Sequence, residues 1–168
     1  MRPSFAAAAL ALWAGAALAQ FSLSTPDPDW REAEAPPPPA VTTKGLIELD
    51  NLPGSSLRFG VDPASVTLGN DRVVRYVVVA RSATGAVNAM YEGIRCSEAQ
   101  VRTYARYNPD SGWVKQESSQ WRPLHESIAR HSLMIARTGA CVGQGPNGTA
   151  KQIVRDLKSP IDRRFDAP

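Results

Sequence analysis

The stretch that most constrains the fold is residues 72–83, RVVRYVVVARSA. Val74, Tyr76, Val78 and Ala80 alternate along it with Val73, Val77 and Val79, so a strand drawn through it is apolar on both faces. Such a strand must be covered on both sides and lie inside a sheet, with Arg75 and Arg81 toward its margins. Shorter strand patterns precede it at 45–50 (GLIELD), 56–61 (SLRFGV) and 65–68, separated by Asn51-Leu52-Pro53-Gly54 and Asp62-Pro63. Gly69-Asn70-Asp71 makes the turn into the long strand. Thr84-Gly85 turns it into a hairpin with 87–96, VNAMYEGIRC, and 101–107, VRTYARY, follows. Beyond Asn108-Pro109-Asp110-Ser111-Gly112, residues 113–115 make a short edge strand.

The last third changes period. Leu124, Ile128, His131 and Ile135 recur at helical spacing, and Gly139 is expected to stop that helix just before Cys141. A glycine-rich linking loop, 142–148, leads to a second helix. Ala150, Ile153, Val154 and Leu157 form its buried face; Thr149 or Asn147 caps its start, and Ser159-Pro160 ends it. Strands first and helices last predict an α+β fold, an antiparallel meander packed against one or two C-terminal helices.

At the N-terminus, Arg2 precedes the apolar run 5–18, and Ala17-Leu18-Ala19 supplies a cleavage site before Gln20. The run is shorter than the roughly 20 residues that span a bilayer. The sequence therefore predicts a cleaved signal peptide at 1–19, export to the periplasm, and no integral span afterwards. Residues 20–43 read as an acidic, proline-rich leader and linker, 44–160 as a single α+β domain, and 161–168 as a flexible tail. Residues 20–50 carry 2 Lys and Arg against 6 Asp and Glu, whereas 51–168 carry 16 against 10. An acidic leader on a basic body invites self-docking or an anionic partner. Pro36 to Pro39 favour an extended polyproline II spacer. Trp30, out of place in a solvated linker, is expected to pack on the domain itself or on a partner.

Two cysteines in an oxidising compartment pair, so Cys96 and Cys141 are expected to form a disulfide. Closing a loop of about 45 residues is worth about 4 kcal/mol on the chain-entropy account.

Nothing in the sequence dictates a chemistry. His125 and His131, six apart, do not share a helix face, and the chain lacks a metal-ligand cluster. His131 reads as a half-buried structural histidine. Residues 143–148 lack the Lys-Ser/Thr ending of a phosphate loop. Asn147-Gly148-Thr149 matches a glycosylation acceptor, which matters only in a eukaryote, and the Ala-, Arg- and Pro-rich composition points to a bacterium. Glu92, inside an apolar strand, is either a general base or the partner of Arg75 or Arg81 across the hairpin, with the ion pair favoured. Arg102, Tyr104 and Arg106 alternate along one strand and are expected to share a face, where two guanidinium groups and a phenol ring can hold an anion. Trp113 and Trp121 could extend that patch. Modest charge and export make nucleic acid a poor partner.

At Asp71-Arg72-Val73-Val74-Arg75-Tyr76 and Tyr91-Glu92-Gly93-Ile94-Arg95-Cys96 the chain resembles the CNP-one-like family, small exported proteins of Gram-negative bacteria with no assigned activity. The likeness extends from Asp29-Trp30-Arg31-Glu32 through Tyr104-Ala105, Trp113 and Trp121-Arg122-Pro123 to Cys141. It implies one domain, export and a two-cysteine framework, and it brings no catalytic residue. The expectation is a non-enzymatic periplasmic module of the cell envelope, binding a small anionic ligand or an envelope protein, with no cofactor and no metal. Two alternatives are a small hydrolase using Glu92 and an assembly factor docking through Trp30 and the proline arm.

Overall fold

The computed structural model describes residues 27–50, 52, 54–126 and 130–159; the expected signal peptide 1–19, the expected tail 161–168 and Ile128 lie outside them. Eight strands form one antiparallel sheet: β1 (Ile47–Glu48), β2 (Arg58–Val61), β3 (Thr67–Leu68), β4 (Val73–Arg81), β5 (Val87–Arg95), β6 (Gln100–Asn108), β7 (Gly112–Lys115) and β8 (Arg122–Pro123). Their order is β1-β2-β4-β5-β6-β7, with β3 beside the start of β4 and β8 beside the start of β6. The meander β4 to β7 is thus the body of the sheet. The valine-rich strand is central, as its two apolar faces require. Val73, Val74, Val77, Val78 and Val79 are all fully buried, each removing roughly 1.5–3 kcal/mol worth of apolar surface from water.

One face of the sheet is covered by the C-terminal elements. A short helix, α1 (His131–Ile135), runs into a π-helical turn at Ala136–Ala140, then a small hairpin of β9 (Cys141–Val142) and β10 (Gly145–Pro146), then α2 (Ala150–Lys158). Ile135, Ala136, Ala140, Ile153 and Leu157 pack there with Val61, Val74, Tyr76, Val78 and Ile94. The Cys96–Cys141 disulfide, Cα atoms 5.7 Å apart, fastens the end of β5 to β9 and so joins the two layers.

The helical pattern needs correction at both ends: Leu124 lies in a separate 3-10 turn, Leu124–Glu126, and α1 begins only at His131. Gly139 does not stop the helical path, which continues through Ala140. A Cβ at Gly139 would lie 2.6 Å from Leu157 Cγ and 2.9 Å from the Leu157 backbone nitrogen. The glycine is there because α2 packs directly against the turn. Thr149 caps α2 through a reciprocal capping box with Gln152. Asn147 does different work: it is buried, and its amide donates to Gly139 O (2.9 Å) and Asp156 Oδ2 (2.7 Å).

Candidate functional site

The opposite face of the sheet is covered by the acidic leader. Residues 30–43 contain no helix or strand, and burial along them recurs every third residue: Glu32, Ala35, Pro38 and Val41 are half-buried, while Ala33, Glu34, Pro36, Pro37, Pro39 and Ala40 are exposed. Three residues per turn is the period of a polyproline II helix. The leader is therefore a strap with one edge against the sheet. Ala35 and Val41 pack on a second apolar cluster of Val77, Val79, Ala89, Tyr91 and Ala105, flanked by Tyr104, Tyr107 and Trp113. The Trp113 indole N–H donates to Pro39 O at 2.8 Å.

Two side chains anchor the strap. The Trp30 indole N–H donates to Asp71 O at 2.9 Å, its ring meets Trp121 edge-on at 6.0 Å, and the Arg95 guanidinium lies 3.8 Å from its centroid. Two residues on, the Glu32 carboxylate enters a cradle of donors. Arg102 Nη1 reaches Oε2 at 2.7 Å, Trp121 Nε1 reaches Oε2 at 3.1 Å, and Tyr104 Oη donates to Oε1 at 2.7 Å. The buried Arg75 stands 3.9 Å from Oε1. Arg75 is itself fixed by Asp71, through Nη1 to Oδ1 (3.1 Å) and Nη2 to Oδ2 (2.6 Å), and donates to Ala33 O at 3.0 Å. Burial pushes the Asp71 carboxyl up, but hydrogen bonds from Arg75, Val73 N and Ala33 N outweigh it and hold the group below its usual range. Burial and the Glu32 carboxylate push the Tyr104 phenol well above its usual range, so it remains a donor.

Gly93 makes this cradle possible. A Cβ there would lie 2.6 Å from Tyr104 Oη and 2.8 Å from Val73 Cγ1, so the glycine on β5 opens the space over which Tyr104 folds.

Of the three residues expected to share a face, the structure brings two together. The β5–β6 register shifts between Tyr91 and Glu92: Tyr91 faces Ala105 and Glu92 faces Thr103, leaving Tyr104 as an extra residue in a β-bulge. The bulge reverses the alternation beyond it. Arg102, Tyr104, Ala105 and Tyr107 belong to the strap side, whereas Arg106 pairs with Met90 and is exposed, between two residues that face the strap. Beside the cradle runs a groove of about 330 Å³, between Ala35–Pro38 and a floor of Tyr91, Tyr104 and Ala105, with Arg102 and Lys115 at its edge.

Glu92 is not paired with an arginine. It lies opposite Tyr76, on the helix side of the sheet, while Arg75 pairs with Asp71 and Arg81 with Glu48. Its Oε2 accepts from Tyr76 Oη (3.0 Å) and Ser132 Oγ (3.1 Å) and is 3.1 Å from His131 Nε2. All four side chains are buried, His131 more deeply than half-burial, and Phe59 stacks on the imidazole at 4.9 Å. Burial pushes the Glu92 carboxyl up, but the charge and hydrogen bond of His131, with those of Tyr76 and Ser132, hold it below its usual range. Ser132 bonds the carboxylate rather than the imidazole, so no activated nucleophile is assembled. The described surface grooves do not open onto Glu92. The sequence places a carboxylate, a histidine and a serine here, but only the packing of α1 on β5 brings them together.

Among the described residues no group of three or more His, Cys, Asp and Glu is placed to hold a metal ion, and no helix is long and apolar enough to cross a membrane. The CNP1-like family model matches residues 25–158. The chain belongs to the CNP1-like (CNP-one-like) family. Cryptic neisserial protein 1 of Neisseria gonorrhoeae is 23% identical over 146 residues, covering 78% of this chain and 71% of that protein. No solved structure matches. The CNP1-like match includes the strap together with the sheet beneath it, so Trp30 and Glu32 fall within the family unit.

Proposed function

We propose that this protein is an exported, periplasmic binding module of the cell envelope, without catalytic activity of its own, and that its contact surface is the strap-covered face of the sheet. One observation carries this reading: four donor side chains, Arg75, Arg102, Tyr104 and Trp121, converge on a single carboxylate beside an open groove. Such convergence recognises a carboxylate by charge and by hydrogen bonds at once. Arg102 and Tyr104 are the contact residues; Arg106, on the other face, has a separate role or none.

Native mass spectrometry of the protein purified from its own periplasm tests the reading. The expected species is residues 20–168, two hydrogens light, with a co-purifying ligand or partner. Replacing Arg102 by Ala together with Tyr104 by Phe is expected to remove that partner. A partner retained by the double variant overturns the assignment of this face, and an uncleaved chain in the cytoplasm overturns export.

A further inference from the structure

The leader fits its seat incompletely. Its recognition elements are an aromatic ring at Trp30, a carboxylate at Glu32, and small apolar residues at every third position, Ala35, Pro38 and Val41. Beside Ala35 to Pro38 the floor of Tyr91, Tyr104 and Ala105 leaves about 330 Å³ unfilled. The strap forms no ladder with the sheet; it is held by side chains and single hydrogen bonds to Asp71, Arg75 and Trp113. It can therefore leave without breaking a strand pair. The leader meets Arg75 and Arg102 of the seat with Glu32 and Arg95 with the Trp30 ring, while Lys115 and Glu117 stand at the groove's edge.

We infer that the strap-covered face is a peptide-recognition groove, and that the leader is a resident mimic of its partner: an acidic, extended, proline-bearing segment of another envelope protein. This rests on the proposed binding role and specifies its ligand. The physics is that of proline-rich recognition, in which a preformed polyproline II segment lies on an aromatic-lined groove and loses little entropy on docking. A leader tethered in cis acts at an effective concentration on the order of millimolar, so only a better-fitting segment displaces it. A larger side chain where Ala35 stands would fill the space that the leader leaves empty.

The test uses the mature chain carrying Trp30→Ala and Glu32→Gln, which loosens the resident strap, with Glu32→Gln alone as the milder variant should the double one fold poorly. The probe is a fluorescein-labelled synthetic peptide of residues 27–43, read by anisotropy. The loosened chain should bind it at least 10-fold more tightly than the wild type does. Arg102→Ala in the loosened chain, or Glu32→Gln in the peptide, should weaken binding 10-fold or more, and Ala35→Leu in the peptide should tighten it several-fold. Absence of peptide binding, in a loosened chain whose strap amides exchange freely, overturns the inference, as does binding indifferent to Arg102. Glutarate as a second probe separates the two claims. Displacement of the strap by glutarate but not by peptide leaves the binding role standing and sinks the peptide groove; displacement by neither sinks both. A wild-type dimer that forms with concentration and is lost on Glu32→Gln would assign the groove to a second copy and overturn the proposal.

Discussion

Glu92 gathers Tyr76, Ser132 and His131 around one carboxylate inside the sheet–helix core. Glu92→Gln keeps one acceptor oxygen but removes the negative charge and sets an amide donor among three buried polar groups, so it should cost about 3 kcal/mol in urea denaturation. Acid should act the same way. Glu92 and Asp71 are both held below the usual carboxylate range. A group whose folded pKa is depressed contributes its full stabilisation above the unfolded value, about 4 for a carboxyl, and loses it as pH falls through the folded value. The wild type should therefore lose stability steadily below about pH 4, and Glu92→Gln should show a shallower acid limb in urea midpoints taken from pH 7 to pH 2. Equal slopes would show that Glu92 does not titrate with folding. At Gly93, substitution by Ala puts a methyl group into Tyr104 Oη and Val73. A loss of about 1–3 kcal/mol is expected, together with a change in the environment of the strap-side tryptophans, read by their fluorescence.

The elements were legible where local pattern decides them. The valine-rich β4 had to be central because both of its faces are apolar, and the Thr84-Gly85 turn and the α2 stripe read as the structure has them. The Cys96–Cys141 bridge was legible from the cysteine count together with the expectation of export. Cys96→Ser and Cys141→Ser should each cost about 2–4 kcal/mol, and the double variant no more than either alone; additive losses in thermal melts would contradict a shared bond. What period-2 reading could not reveal is the bulge at Tyr104, because one inserted residue inverts every later position on β6 and sends Arg106 to the far face. Nor could it show that Glu92 meets His131 on α1, a contact across 39 residues that depends on how α1 lies on the sheet. The acid–arginine pair expected across the hairpin failed for the same geometric reason: Tyr76 and Glu92 share one face and Arg75 looks out of the other.

At the scale of the molecule, a sheet with two apolar faces needs two covers, and this chain builds them differently. Helices stapled by a disulfide cover one face, and a polyproline strap anchored by Trp30 and Glu32 covers the other. The acidic leader and basic body that composition reveals are the two halves of that second contact. Trp30→Ala should release the strap at modest cost, about 2 kcal/mol for a half-buried ring. Hydrogen exchange should then rise in 27–43 while β4 stays protected. The most direct test is a double-mutant cycle between Glu32→Ala and Arg102→Ala, followed by urea denaturation. A strap docked as described gives a coupling of about 1 kcal/mol or more between the two sites; additivity within about 0.3 kcal/mol would mean that Glu32 does not occupy the cradle.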